Sequence, residues 1–308
     1  MNILILAAGG PAAHGAIKSL HDIDFNGKIV SVDSNELSAG FYLSDKYYVV
    51  SEAFNDSYIK ELLNIVDKED INLILPTSSN DIVSISKKLD LFKSRGVTVF
   101  MSGYESIQVC SDKLKFYDKC KDNFPLPNTS TNYNEIGFPL FAKPRRHSAG
   151  SKGVFVCKDQ TTIKCLESDK YEYIYQEHLP GQEYTIDVLS DMNSNPLVVI
   201  PRKRLQTKAG ISFKGEIVKD EFIEKACFDI CKFLNLKGPI CLQMKEDKNG
   251  ELKFIEINPR LGGGSYFTTL AGVNFIEVIL NLISGKDVNI NEPKLIKVLR
   301  YYSEVVVT

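Results

Sequence analysis

No C-x-x-C pair occurs among the seven cysteines of this 308-residue chain, and their odd number fits no closed disulfide framework. The same spacing argues against a structural zinc site. Cys227 and Cys231 stand four apart, which suits one buried helix face. Nor is there a surplus of charge: 37 Lys and Arg face 39 Asp and Glu, and neither half is strongly basic. A surface that tracks nucleic-acid phosphates is therefore not expected. Long apolar runs are missing too. The opening stretch Asn2–Ala7 is short, no basic region precedes it, and polar residues return quickly. It is expected to be neither a signal peptide nor a membrane span, and a cytoplasmic location is expected. What remains is a soluble composition, 44% hydrophobic and 25% charged, at a length that suits two or three lobes.

The first third alternates strand-like and helix-like segments. Strands are expected at Ile3–Ala8, Ile29–Val32, Ile71–Leu75 and Val97–Phe100, with helices over Ala12–Leu20, Ser57–Asp67 and Asp81–Phe92. Such alternation predicts a parallel sheet covered on both faces. Gly9, Gly10, Gly15 and Asp33 approximate a dinucleotide fingerprint, but Pro11 and Ala12 interrupt it and no G-x-G-x-x-G is present. A glycine turn that shapes a small-substrate pocket is the better reading. Pro76–Asp81 offers hydroxyls and amides at the carboxyl edge of the sheet, where ligands of open α/β folds gather; Ser79 or Asn80 serves equally as a helix cap.

The pattern changes after residue 104. A helix begins at Ser111–Lys113 and runs through Cys120. The strand Phe138–Pro144 carries Lys143 and leads into the loop His147, Ser148, Ala149, Gly150, Ser151, Lys152, Gly153, followed by a strand from Val154. Glycine and serine let backbone N–H groups turn toward phosphate oxygens, and Lys143 adds a point charge. This is not a G-x-x-x-x-G-K-[ST] loop, since the lysine precedes the glycines and a strand follows them. A bare hairpin with incidental lysines accounts for it equally well. Tyr173–Leu179 then reads as a strand, and the Pro180–Gly181 turn is flanked by Glu177 and Glu183. Such a connector suits a purine and its ribose, although a surface hairpin with solvated acids fits the same residues.

In the last third, Ile240–Met244 and Leu252–Asn258 are expected to pair through the Asp247–Gly250 turn. Period two puts Glu256 and Asn258 on one side of the strand, with Phe254 continuing the line and Gln243 opposite. These oxygen donors suit a hard cation such as Mg²⁺. An acid inside Phe-Ile-Glu-Ile is costly to bury without a partner, which favours a metal over an idle surface carboxylate. Arg260, just beyond, suits a phosphate or carboxylate held bidentately.

With Glu256-Ile257-Asn258-Pro259-Arg260, Gln243, Lys143, the loop to Gly153 and the Gln176–Glu183 block in this order, the chain resembles the ATP-grasp superfamily. It is more closely similar to the carbamoyl-phosphate-synthase-like carboxylate–amine ligases. The resemblance implies an α/β and α+β architecture with an N-terminal Rossmann-like pre-grasp lobe over 1–103. It implies a first grasp subdomain over 104–181, with the lid at about 120–180, and a C-terminal metal-binding subdomain over 182–308. It implies ATP and Mg²⁺ (Mn²⁺ as the alternative ion). Lys113 and Lys143 would contact phosphates, His147, Ser148, Gly150, Ser151 and Gly153 would belong to the loop over them, and Gln176, Glu177, His178 and Leu179 would meet adenine. Glu183 would hold the ribose. Gln243, Glu256 and Asn258 would ligate metal, and Arg260, Lys143 and Arg204 would serve catalysis, with Arg202 on the same strand as Arg204. Many relatives have an acid where Gln243 stands; the glutamine marks the carbamoyl-phosphate-synthase-like branch.

The activity so implied is activation of a small carboxylate as an acyl phosphate and its joining to an amine, releasing ADP and phosphate. At 308 residues the chain is not expected to be a complete carbamoyl phosphate synthase. Amino-acid-like substrates and a homodimer are the expected partners, without nucleic acid or membrane. The competing readings are a grasp protein that binds nucleotide without ligation and an NAD-dependent oxidoreductase using Gly9–Asp33. The second leaves the last two thirds of the chain without a role.

Overall fold

The computed structural model describes residues 1–146, 153–166 and 170–307. In the first lobe, β1 (Asn2–Ile5), β2 (Ile29–Asp33), β3 (Lys46–Val49), β4 (Ile71–Leu75) and β5 (Thr98–Val99) form a parallel sheet in the order β3-β2-β1-β4-β5. Its central strands are almost wholly apolar because both faces are covered. Ile3 and Ile5 pack on the side of α1 (Pro11–His21), while Leu4 and Val30 pack on the side of α2 (Tyr58–Glu69). Edge strand β3, Lys-Tyr-Tyr-Val, escaped the sequence reading because it has little apolar pattern. The helix expected over Asp81–Phe92 is two helices, α3 (Ser79–Ser86) and α4 (Leu89–Lys93). The first is capped by the Ser78 hydroxyl, which accepts from the Asp81 N–H at 3.2 Å.

Two short helices follow, α5 (Tyr104–Cys110) and α6 (Lys113–Cys120). Asp112 caps α6 by accepting the N–H groups of Leu114 and Lys115. A small antiparallel sheet comes next: β6 (Thr129–Ser130), β7 (Leu140–Pro144), β8 (Phe155–Cys157) and β9 (Tyr173–Glu177), ordered β6-β9-β7-β8. With α7 (Gln160–Leu166) it closes a core of its own from Leu140, Ala142, Cys157, Ile163, Leu166 and Tyr173.

The largest sheet is antiparallel. Its strands are β10 (Glu183–Ser190), β11 (Pro196–Lys208), β12 (Ile211–Ile217), β13 (Gly238–Glu246), β14 (Leu252–Asn258) and β15 (Lys297–Leu299), in the order β14-β13-β10-β11-β12-β15. One face is apolar and covered by α8 (Glu221–Phe233), whose Cys227 and Cys231 are buried as core residues. Cys110, Phe116 and Cys120 of α5 and α6 enter the same core, so residues 104–120 pack beneath this sheet. The final helices, α9 (Ser265–Leu270) and α10 (Phe275–Ile283), meet α1 in the first lobe. Phe267, Ala271 and Ile276 share a core with Ala12, Ala16 and Leu20, and the small side of α1 accommodates them. No helix among the described residues is long and apolar enough to cross a membrane.

Candidate active site

The polar face of the largest sheet, the carboxyl edge of the parallel sheet and strands β7 and β9 enclose a cleft of about 490 Å³. Lys113, Lys143, Gln176, Glu177, Leu179, Glu183, Arg204, Gln243, Glu256, Asn258 and Arg260 all line it. His178 and Gly153 are not among its lining residues. His147, Ser148, Gly150 and Ser151 lie outside the described residues.

The two lysines reach the cleft from different elements. Lys113 opens α6, and Lys143 ends β7 with only 5% of its surface exposed. The Lys143 ammonium donates to the Ile255 carbonyl at 2.9 Å. Burial and the neighbouring Lys113 push its pKa down to about 7, against a pull upward from Glu256. Burial lowers Lys113 as well, and Glu256 again opposes the shift. Two crowded amines beside one carboxylate form a site where a polyphosphate anion would favour their charged forms.

A β-bulge arranges the facing acid. Gln243 pairs with Glu256, but the next residue, Met244, pairs with Phe254, so Ile255 is the extra residue. Simple period two placed Phe254 on the side of Glu256, and the structure corrects this. Phe254 is wholly buried in the core beneath the sheet, whereas Glu256 and Asn258 line the cleft. The bulge resets the alternation and also leaves the Ile255 carbonyl to Lys143.

Arg260 is held by three contacts. Its Nε donates to Ser79 Oγ at 3.1 Å, Nη1 to the Leu261 carbonyl at 2.7 Å, and Nη2 to Asn258 Oδ1 at 3.3 Å. Ser79 thereby ties the first lobe to Arg260, just beyond the end of β14. Arg204 donates to Glu183, the carboxylate expected at the ribose, and to the Gly210 carbonyl at 2.6 Å. These two candidates hold each other across β10 and β11. Gln176 is likewise engaged, donating to Thr129 Oγ1 at 2.8 Å, and Glu177 accepts from Lys253 at 2.6 Å. The side chains of both are thus engaged within the protein, and Leu179 lines the cleft beside them. In the first lobe, Asp33 accepts the N–H groups of Gly9 at 2.7 Å and Asn35 at 2.9 Å. Its carboxylate shapes the glycine turn.

Gln243, Glu256 and Asn258 supply one carboxylate and two amide oxygens. Among the described residues no cluster of three or more His, Cys, Asp or Glu suits a metal. This donor set still fits Mg²⁺, which commonly takes one or two carboxylates and completes its shell with water and substrate phosphates. It fits only alongside a phosphate-bearing ligand, and the two lysines would hold that ligand.

Sequence reasoning gave Arg202 no role beyond its strand, yet it is among the most buried residues. Its Nη1 donates to Asp187 Oδ2 at 2.8 Å and to the Gly264 carbonyl at 2.9 Å. Its guanidinium lies 5.2 Å from the Phe267 ring centroid, and that of Arg300 lies 4.9 Å from the same ring. A Cβ on Gly264 would sit 2.5 Å from Arg202 Nη2, which explains the glycine there. The spacing of Arg202 and Arg204 carried a hint of a shared face; Arg300, distant in sequence, carried none.

Two lobes clasping a cleft, with a parallel-sheet lobe ahead of them, define an ATP-grasp fold. The comparisons agree. Residues 169–305 match the family model described as ATP-grasp in the biosynthetic pathway with Ter operon, and residues 3–100 match the PylC-like N-terminal domain. The chain is similar to the carbamoyl phosphate synthase large chain of Clostridium botulinum (strain Alaska E43 / Type E3), 23% identical over 92% of this chain and 29% of that protein. It therefore spans less than a third of that relative's length. Among solved structures it resembles biotin carboxylase in its β-γ-ATP complex from Campylobacter jejuni, with a TM-score of 0.73 and 16% identity, covering 95% of this chain and 73% of that one. It also resembles the biotin carboxylase domain of Hydrogenobacter thermophilus 2-oxoglutarate carboxylase in complex with MgADP, ADP and bicarbonate. The TM-score there is 0.72 and the identity 15%, over 95% of this chain and 72% of that one. The chain thus has the ATP-grasp fold, and its residues 169–305 match an ATP-grasp family model.

Proposed function

We propose that this chain binds ATP with Mg²⁺ and activates a small carboxylate for ligation to an amine. The observation that carries the reading is the convergence of Lys113, Lys143, Glu256, Asn258 and Arg260 on one cleft. Lys113 and Lys143 would hold the phosphates, and Glu256, Asn258 and Gln243 would hold the metal. Bound Mg²⁺ would offset the negative charge that develops on phosphoryl transfer. A substrate carboxylate oxygen attacks the γ phosphorus, the bond to ADP breaks, and an acyl phosphate forms. The amine nitrogen then attacks the acyl carbon, phosphate leaves, and the amine gives up a proton. Arg260, fixed by Ser79 and Asn258, stabilises both charged transition states, and Arg204 holds the acyl phosphate from β11. Enclosure beneath β7 and β9 protects the acyl phosphate from water.

The carbamoyl-phosphate-synthase-like branch is supported by Gln243 at a position where many relatives carry an acid, and by the likeness to the synthase large chain. Cytoplasmic location, amino-acid-like substrates and a homodimer remain part of the proposal. Release of ADP and phosphate, measured with Mg²⁺ against a panel of carboxylates and amines including amino acids, tests the whole. Absence of Mg²⁺-dependent turnover with every pair would overturn ligation, and ATP binding without turnover would favour a nucleotide-binding protein.

Lys143 gives the proposal a pH signature. Its amine titrates near pH 7 in the free protein because burial disfavours the cation. Pairing with phosphate raises that pKa again, so binding above pH 7 takes up about one proton, and affinity falls by at most about tenfold per pH unit. Calorimetry of a non-hydrolysable ATP analogue in buffers of different ionisation enthalpy measures the uptake. The folding linkage runs the other way. The unfolded lysine titrates near its ordinary 10.5 and holds more proton between pH 7 and 10.5, so this group's contribution to stability grows as pH rises through that window.

A further inference from the structure

A second cavity of about 240 Å³ opens at the carboxyl edge of the parallel sheet, below the roughly 300–1,000 Å³ usual for drug-sized ligands. Every charged residue among its described lining is an acid: Asp33, Glu52 and Asp81. Tyr58 and Phe54 add aromatic surface. Asp81 is the unusual member. It is only 6% exposed, and its Oδ1 accepts from the Tyr58 hydroxyl at 2.8 Å, while its Oδ2 is buried without a hydrogen-bond partner. A buried carboxylate oxygen left unpaired is costly, and a donor placed in the cavity removes that cost. Asp33 is engaged by backbone N–H groups and contributes charge; exposed Glu52 adds to it at the rim. Negative potential, aromatic walls and a waiting acceptor together select a cationic donor.

Ala7 and Ser78 line both this cavity and the main cleft. Ser79, next in sequence to Ser78, accepts from Arg260. Ala7 and Ser78 thus form a wall common to the acidic cavity and the cleft. We infer that the acidic cavity binds the non-reacting ammonium group of a small aliphatic substrate, whose other end lies in the main cleft. The inference rests on the proposed ligase reading for the role of that other end, but the ammonium site stands on its own geometry. It narrows the substrate class to amino-acid-like molecules or diamines with a cationic tail.

Calorimetric titration of the full chain with L-lysine, 1,5-diaminopentane and L-norleucine, each with and without Mg²⁺ and a non-hydrolysable ATP analogue, tests it. Lysine and diaminopentane are expected to bind, with norleucine about tenfold weaker or worse, since it lacks the tail ammonium. Asp81→Asn should weaken both ammonium ligands about tenfold or more while leaving ATP-analogue affinity within about twofold. Glu52→Gln, on an exposed position that does not threaten folding, should weaken them by a smaller factor. Equal affinity for lysine and norleucine, no effect of either substitution, or no binding of any ammonium ligand would overturn the site. Failure of the ATP analogue to bind, with ammonium binding intact, would instead strike the ligase reading alone.

Discussion

Glu256→Gln is expected to lower ATP turnover by about 10²–10³-fold with the fold intact, an effect of the size seen when one electrostatic contact to a transition state is lost. The argument comes from the bulge. Ile255 is the inserted residue, and Glu256 follows it into the cleft opposite Gln243. Glutamine preserves size and one oxygen donor but removes the carboxylate charge, leaving three neutral amide oxygens for a hard cation. Raising Mg²⁺ should recover part of the loss if the defect is in metal affinity. A second consequence separates this from general damage. Glu256 pulls the Lys143 pKa upward. Without it the lysine titrates lower, and the pH above which ATP-analogue affinity declines should shift down as well. Near-normal turnover in the variant would overturn the proposed metal-holding role of Glu256, whatever its effect on the lysine.

The largest effect on stability is expected at Arg202. Arg202→Met should cost about 3–5 kcal/mol, because it leaves Asp187 buried without its counter-ion. Both residues are almost entirely inaccessible, and they meet diagonally across β10 and β11, where Arg202 pairs with Thr185 and Ile200 pairs with Asp187. Thr268 donates to the same Asp187 oxygen at 2.8 Å, so the network joins the sheet to α9. Adding Asp187→Leu to Arg202→Met should restore much of the loss, since two apolar residues leave no stranded charge. Urea unfolding of the two single variants and the double variant measures the coupling. A single-variant loss below about 1 kcal/mol would mean that water or a neighbouring group already satisfies Asp187. The buried pair also explains why the sequence reading undervalued this position: as part of Arg202-Lys203-Arg204 it resembled a local basic surface run, and burial of Arg202 becomes visible only when Gly264 and Phe267 close over it.

The legibility of the remaining elements follows the range of the forces that make them. Strands β1, β2 and β4 were readable because burial on both faces leaves a continuous apolar run, and the start of α6 because Asp112 caps it locally. Edge strand β3 was not, since an edge strand needs no strong apolar pattern. The division between α3 and α4 was missed because helical composition continues across Lys87 and Lys88. Glu183 and Arg204 were each legible as polar groups on alternating strands. Their mutual ion pair was not, because it depends on the register of β10 against β11 and on the carbonyl of Gly210.

By itself the sequence determined the kinds of groups available and their order: two lysines, an oxygen-donor strand ending in Glu256-Ile257-Asn258, an arginine two residues on, and alternation that requires a covered parallel sheet. Local propensity and burial periodicity carry that information, since each acts within a few residues. Tertiary structure decided which groups meet. A one-residue bulge reversed the expected side of Phe254, burial and the neighbouring Lys113 lowered the pKa of Lys143, and Asp81 joined Asp33 in a cavity assembled from separate βα connections. Burial, electrostatic coupling and hydrogen-bond partners are set by atoms distant along the chain, so only the folded arrangement fixes them.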